Sequence, residues 1–465
     1  MIHKTIIEPF KIKSVEPITL SNERERLEFL KKAHYNPFLL KSEQVIIDFL
    51  TDSGTSAMSV DQWAGIMKGD ESYAGSKSWI KMEKAVKELT GMNHILPTHQ
   101  GRAAERILYG NVGGAGKVFI SNTHFDTTRA NIEIIGSKAI DIPISKSSDS
   151  VIDYSFKGNI DIEKLVYQIK ENGPENIGAV ILTLTNNSGG GQPVSFNNVK
   201  QTSEVCKKYN VLFILDCCRI AENTYFIKTN EEGFSHYSYE NIAKEIFNLA
   251  DGAVMSSKKD ALVNMGGFLA IRDDKIALSC TTQLIITEGF STYGGLSGRD
   301  MEALAIGIKE VFDSDYLEYR IKSTTFLGNK LNELGIPVIL PIGGHAVYID
   351  AKQFYSHIPY FEYPGQALVC ELYLKGGIRS VEIGSVMFGK YSKDGDLIAA
   401  PMELVRLAIP RRTYTQSHIE YVVETFKELL ITKNEVSGFK ITEEPVFLRH
   451  FTAKFHKVPL KKMAH

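Results

Sequence analysis

Four short runs of apolar, largely β-branched residues, each closing on polar residues, limit what this chain can fold into. They are Lys117–Ser121, Ala179–Leu184, Val211–Leu215 and Gly252–Met255. Amphipathic segments such as Asn197–Tyr209 and Tyr239–Leu249 lie between them. A strand that is apolar on both faces needs cover on both, and intervening helices supply it. The pattern predicts an α/β fold with a mostly parallel sheet. In such sheets ligands collect at the carboxyl ends of the strands.

After about Gly298 the texture changes. A long helical pattern over Met301–Leu334 precedes strand candidates at Val338–Leu340 and Ala346–Ile349, a helix over Gln366–Leu374 and a strand at Leu404–Ile409. This predicts a second, smaller α+β domain, in keeping with a chain of 465 residues, too long for one ordinary core.

Composition removes several functional classes. With 43% hydrophobic residues, 23% charged residues and a formal net charge of −2, the chain is poorly suited to nucleic acid or anionic membrane. The lysines of Lys454–Lys462 read as a solvated tail. Met1–Leu20 lacks the apolar run of a secretory signal. No apolar stretch approaches the roughly 20 residues of a membrane helix. Five cysteines, an odd number without metal-ligand spacing, suit reduced thiols and a cytoplasmic location. Twelve scattered histidines form no zinc pattern.

The chemistry lies in the polar residues placed directly after the strands. Val211–Leu215 ends in Asp216-Cys217-Cys218-Arg219, Gly252–Met255 in Ser256-Ser257-Lys258-Lys259-Asp260, and Ala179–Leu184 in Thr185-Asn186-Asn187. Adjacent strands would bring a carboxylate, an amine and an amide to one site. Pyridoxal phosphate (PLP) needs such a set: a lysine for the Schiff base and a carboxylate that keeps the pyridine nitrogen protonated. A phosphate cradle is offered by Gln100-Gly101-Arg102 at the start of a helix, because glycine lets backbone N–H groups approach an anion. Two tempting motifs fail. Gly113–Lys117 resembles a nucleotide loop, but Asn111 holds the first glycine position and Val118 comes after the lysine. Ser256–Lys259 fits a Ser-x-x-Lys pattern without its partner motifs. The Cys217-Cys218 pair reads as small buried filling.

The chain resembles the β-eliminating lyases nearly end to end, from Glu8–Lys13 to Leu448–Lys454. The matches run through Leu50–Thr55, Gly69–Ser76, Pro97–Arg102, Gly191–Val194, Ala221–Asn223, Tyr225–Lys228 and Gly343–Ala346. The resemblance implies the aminotransferase-like (type I) PLP fold and a homotetramer. The expected division is an arm at 1–18, a small domain at 19–50 and 313–465, and a large cofactor domain at 51–312. Lys259 matches the Schiff-base lysine, with Lys258 beside it, and Asp216 the partner of the pyridine nitrogen. Asn187 and Arg219 match groups at the phenolic oxygen, Gln100, Gly101, Arg102 and Ser256 the phosphate cradle, and Phe125 the stacked ring. Arg406 matches the clamp for the substrate carboxylate, with Thr51 and Ser53 nearby, and Tyr73 the general acid. Glu71, with carbonyls of Gly54 and Asn264, matches a potassium site. Cys217-Cys218, Gly189 and Gly365 stand where the family has other small residues.

Members of this family release either indole from tryptophan or phenol from tyrosine. Where the phenol-releasing branch has arginine, threonine and phenylalanine, this chain has Ile383, Asp126 and His450, as the indole-releasing branch does. The resemblance therefore implies an amino-acid substrate, L-tryptophan, with Asp126 accepting from the indole N–H and His450 tuning that acid. Three alternatives stay open: the phenol-releasing activity, an aminotransferase, and a non-catalytic relative.

Overall fold

The computed structural model describes residues 6–148 and 154–460. The described residues form two compact units, one of 53–147 with 154–321, the other of 6–52 with 148 and 322–460.

The first unit is built on a seven-stranded sheet. Its strands are β1 (His94–Thr98), β2 (Val118–Ser121), β3 (Lys138–Asp141), β4 (Ile177–Thr183), β5 (Phe213–Asp216), β6 (Gly252–Ser256) and β7 (Gly267–Ile271), in the order β1-β7-β6-β5-β4-β2-β3. From β6 to β3 all neighbours are parallel, and β7 runs antiparallel to both β1 and β6. Every residue of β4 is buried. Its side chains alternate between two cores: Val180 and Leu182 pack with Leu215 and Met255, while Ala179 and Ile181 pack with Leu108 and Ile214. That two-sided burial is why the strands read as continuous apolar runs.

Six helices matter for the site: α1 (Lys77–Thr90), α2 (Gly101–Val112), α3 (Asp126–Ile134), α4 (Ile220–Asn230), α5 (Gly298–Glu310) and α6 (Ser314–Glu333). Their ends are written in the sequence. Ser76 accepts from Trp79 N at the start of α1, and Gly91 closes it at φ 62°. Ser297 and Asp300 form a capping box on α5. The helical pattern expected over Met301–Leu334 is in fact two helices. Asp313 accepts from Tyr316 N at 2.8 Å and so starts α6 afresh. Leu317 and Ile321 belong to the cores of the first unit. The described chain passes between the two units at 52/53 and again at 321/322, within α6.

The second unit holds a three-stranded antiparallel sheet of β8 (Ala346–Asp350), β9 (Val381–Ile383) and β10 (Leu404–Ala408), in the order β9-β10-β8. Helix α7 (Pro364–Gly376), buried over most of its length, packs on it. Val338–Leu340 makes one bridge, Val338 to Ile349, and no strand. Pro337 and Pro341 flank it, and neither has an N–H to extend a ladder. The lysine-rich end is also not simply a tail: Lys454–Lys457 pairs with Phe439–Glu443, and Phe455 is buried. Residues 461 and 462 of that stretch, and 1–5 of the arm, lie outside the described residues.

Candidate active site

In the first unit the carboxyl ends of β4, β5 and β6 are stitched together by backbone. Thr183 pairs with Asp216, and Asp216 with Val254. Beyond the strands, Arg219 N donates to Leu184 O (3.2 Å), Cys217 N to Val254 O (3.0 Å) and Asp260 N to Cys218 O (3.3 Å). These bonds set the loops that carry Asn187, Asp216, Arg219, Ser256, Lys258 and Lys259 at one edge of the sheet. Asp216 is 8% exposed, and Asn187, Arg219 and Ser256 are also buried. Lys258 and Lys259 are half-buried. The Lys258 amine is held below its ordinary range by burial and by the charges of Lys259 and Arg102.

The anion cradle is set by close packing. Helix α2 begins at Gly101, and its N-cap Gln100 makes no side-chain capping bond, so the first-turn N–H groups face outward from the helix start. A Cβ on Gly101 would meet Ser256 Cβ and N at 2.8 Å. Only glycine allows α2 to begin against the end of β6. A Cβ on Gly267 would meet the same segment, 2.6 Å from the Gln100 carbonyl carbon. A helix start, a serine and an exposed arginine, Arg102, thus stand beside a lysine and a buried carboxylate. This set fits a phosphorylated pyridine aldehyde: N–H groups for the phosphate, Lys259 for the aldehyde, Asp216 for the ring nitrogen.

Phe125 precedes α3 and is half-buried. Asp126 is the first residue of α3; it is buried and accepts from Thr127 N at 2.6 Å, at the end where the helix dipole favours a carboxylate. Tyr73 is exposed within its unit, stacked on Phe290 (5.5 Å, 21°) and edge-on to Tyr293 (5.2 Å). Its hydroxyl, bonded to that of Tyr293, is raised above the usual range and so keeps its proton at neutral pH.

Of the expected cation ligands, Gly54 and Asn264 are brought together. Gly54 O accepts from Asn264 Nδ2 at 3.0 Å, and a Cβ on Gly54 would lie 2.9 Å from Asn264 O. Glu71 is engaged at the start of α5: Gly298 N donates to it at 2.9 Å and Arg299 Nε pairs with it at 3.1 Å. No cluster of three or more His, Cys, Asp or Glu suited to a metal occurs among the described residues. Gly54 N also donates to Lys258 O at 2.8 Å, which places Ser53–Gly54 beside the lysine loop.

In the second unit Arg406 lies in β10, opposite Val381 and Tyr348, 5% exposed, and donates from Nη2 to Leu50 O at 3.1 Å next to Thr51. Ile383 closes β9 and is buried. His450 is buried, with its ring 5.6 Å from Phe38 and 4.0 Å from Phe451.

Two residues at the site go beyond those the sequence singles out. Glu105, one turn into α2, is buried, accepts from Thr128 Oγ1 at 2.6 Å, and is pushed up to about 7 by burial and by Asp216. A glutamate on the apolar face of a cradle helix is the one sequence signal for it. Cys218 is more than filling: its Sγ accepts from Ser256 N at 3.2 Å, and its own N–H bonds Asp216 at 3.4 Å. Cys217 is the filling residue, fully buried with its Sγ on Val254 O.

Comparison with known proteins gives the family and the fold. The model of the family described as "Beta-eliminating lyase" matches residues 48–425. The tryptophanase of Salinibacter ruber is 56% identical over 449 residues, covering 97% of this chain and 95% of its own. The tyrosine phenol-lyase of Clostridium tetani is 46% identical over 448 residues, covering 96% and 97%. Among solved structures, Sphingomonas wittichii serine palmitoyltransferase superposes with a TM-score of 0.59 at 12% identity, over 89% of this chain and 97% of that one. The fold is the aminotransferase-like, type I fold of PLP-dependent enzymes.

Proposed function

The chain belongs to the β-eliminating lyase family, and from that premise we propose that it uses PLP to cleave L-tryptophan into indole, pyruvate and ammonia. One observation carries the cofactor reading: Asp216, Lys259 and the Gly101–Ser256 cradle share one edge of one sheet. When bound, PLP supplies an electron sink that acidifies the α-carbon of the amino acid joined to it.

The chain's own residues do the rest. Lys259 would hold the cofactor through its amine, and the same amine is placed to take the substrate's α-proton. Asp216 would keep the pyridine nitrogen protonated, Asn187 and Arg219 would hold the phenolic oxygen, Phe125 the ring, and Gln100, Gly101, Arg102 and Ser256 the phosphate. Arg406 binds the substrate carboxylate, with Thr51 and Ser53. An aromatic carbon leaves poorly until protonated, and Tyr73, which holds its proton at neutral pH, is the group assigned to deliver one.

Substrate choice rests on three side chains. Buried Ile383 would offer an apolar wall to a bicyclic ring, Asp126 would accept from the indole N–H, and buried His450 is the third position that differs from the phenol-releasing branch. A site that bonds a polar group discriminates by up to ~10⁴–10⁵ against analogues lacking it. We also assign a potassium ion to Glu71, Gly54 O and Asn264 O, a homotetrameric assembly and a cytoplasmic location. Among the described residues no helix is long and apolar enough to cross a membrane.

Purified enzyme mixed separately with tryptophan and tyrosine, with pyruvate measured, tests the reading. Indole and pyruvate from tryptophan are expected, with little phenol from tyrosine. A higher kcat/KM for tyrosine would transfer the assignment to the phenol-releasing branch.

A further inference from the structure

Two carboxyl groups in the second unit are buried side by side. Glu382, in β9, and Glu403, directly before β10, are 4% and 3% exposed. Both reach the point where a Cβ on Gly384 would lie, Glu382 Oε1 at 2.6 Å and Glu403 Oε2 at 2.5 Å, so the two oxygens are no farther apart than those distances together. Gly365 of α7 makes room for the first of them, since a Cβ there would lie 2.8 Å from Glu382 Cγ.

The pair is wrapped by one turn. Val386 N and Met387 N donate to Glu382, each at 3.1 Å. Ser385 donates to Glu403 from N (3.1 Å) and from Oγ, and that Oγ accepts from Ala400 N at 3.0 Å. The carbonyls of the same turn go to a single guanidinium. Arg449 Nε donates to Val386 O (2.6 Å), and Nη2 to Ser385 O and to Gly389 O (2.9 Å). The turn is thus held by carboxyl acceptors on its N–H side and by a cation on its carbonyl side. Ile383 leads into it, and His450 is the residue after the arginine.

Two carboxylates this close in a buried site resist ionising together, so they titrate as one unit that keeps a proton up to a raised pH. Burial and the charge of Glu403 push Glu382 up to about 8. Burial also raises Glu403, with Asp350 raising it further and Lys352 and the Ser385 bonds opposing. On the far side of the turn, Arg449 is itself paired with Glu444 at 3.3 Å and lies over the Tyr391 ring.

We propose that Glu382 and Glu403 share one proton and, with Arg449, fix the turn Gly384–Gly389 that joins Ile383 to His450, acting as positioning residues for the substrate's aromatic side chain. What the turn serves rests on the tryptophan reading; the shared proton and the locked turn do not. Below neutral pH the pair carries at most one charge and the turn is closed. As pH rises past the loss of the shared proton, two charges face each other and the turn loosens. A misplacement of about 1 Å near the substrate can cost about a hundredfold in rate.

The test is amide hydrogen exchange of Ser385, Val386 and Met387 in the holoenzyme, corrected for the intrinsic pH dependence of exchange. Beside it, kcat/KM is measured for tryptophan and for S-methylcysteine, which needs no ring protonation. In the wild type, protection of the three amides should fall between about pH 7 and about pH 9, and the tryptophan to S-methylcysteine ratio about tenfold with it. Glu403→Gln keeps one acceptor oxygen for the turn and removes the second charge, so protection and ratio should then be flat across that range. Flat protection in the wild type, or a Gln variant that titrates like it, would overturn the proposal. If tryptophan is not cleaved while protection titrates as described, the substrate reading fails and the turn stands. Tryptophan cleavage with flat protection gives the reverse.

Discussion

At the scale of single residues, the site is a matter of which groups hold charge in which state. Lys259→Ala should fold but lose both lyase activity and the long-wavelength absorbance of a lysine-bound cofactor; retention of that absorbance through another lysine would sink the assignment. Asp216→Ala should still bind cofactor and lose activity, because the ring nitrogen is no longer held protonated. Glu105 gives a pH signature of its own. Its folded value of about 7 lies above the ordinary 4.5, so its contribution to stability is fully present below 4.5 and is lost as pH rises through 7. Glu105→Gln abolishes that loss. In the apoenzyme, the melting temperature of the variant relative to wild type should climb between about pH 4.5 and about pH 7 and then level, as scanning calorimetry can follow. Lys259 and Asp216 were legible because both stand just past apolar runs. Glu105 was not, because its place on the apolar face of a helix is the one signal it leaves and carries no sign of the Thr128 bond or of Asp216.

At the scale of elements, the strands of the sheet were legible and the helix breaks were not. Burial on both faces leaves a continuous apolar run, as in β4, that little else produces. The break between α5 and α6 depends on a single Asp313 capping Tyr316, inside a stretch whose apolar periodicity continues on both sides. At Val338–Leu340, β-branched composition suggests a strand, but the two flanking prolines decide the matter against it. The joint between α2 and β6 makes a prediction of this scale. Gly101→Ala forces a methyl to within 2.8 Å of Ser256 N, so α2 must withdraw from the strand end. Overpacking of this kind costs about 1–3 kcal/mol. The expected result is a folded protein with a weaker hold on PLP, read from titration of apoenzyme with cofactor; unchanged affinity would remove the cradle from the site. A second joint is the buried pair of Arg411 and Asp52 at 2.9 Å, with side chains 0% and 1% exposed. Asp52→Ala removes one carboxylate partner from a fully buried guanidinium and should lower stability in urea unfolding.

At the scale of the whole molecule, what one chain leaves uncovered points to other copies of itself. The helix Asp274–Thr287 exposes Leu278, Ile285 and Ile286 at 70%, 48% and 73%. Positions seven and eight apart share one helical face, so these form an apolar stripe rather than scattered surface residues. The helix Val60–Ile66 and the residue after it likewise expose Val60, Trp63 and Met67. With a net charge of only −2 over 465 residues, mutual repulsion would do little to keep such faces apart. Stable assemblies bury faces of this kind, and closed symmetric ones present the same patch from each copy. Light scattering on the purified protein should therefore give four times the 51.9 kDa of one chain. Ile285→Glu places a charge on the stripe without touching a buried side chain, so it should lower the mass to that of a dimer or monomer while circular dichroism stays unchanged. A wild-type mass of one chain at micromolar concentration would remove the tetramer, and an Ile285→Glu protein that stays tetrameric would acquit this helix and leave Val60, Trp63 and Met67 as the face to substitute next.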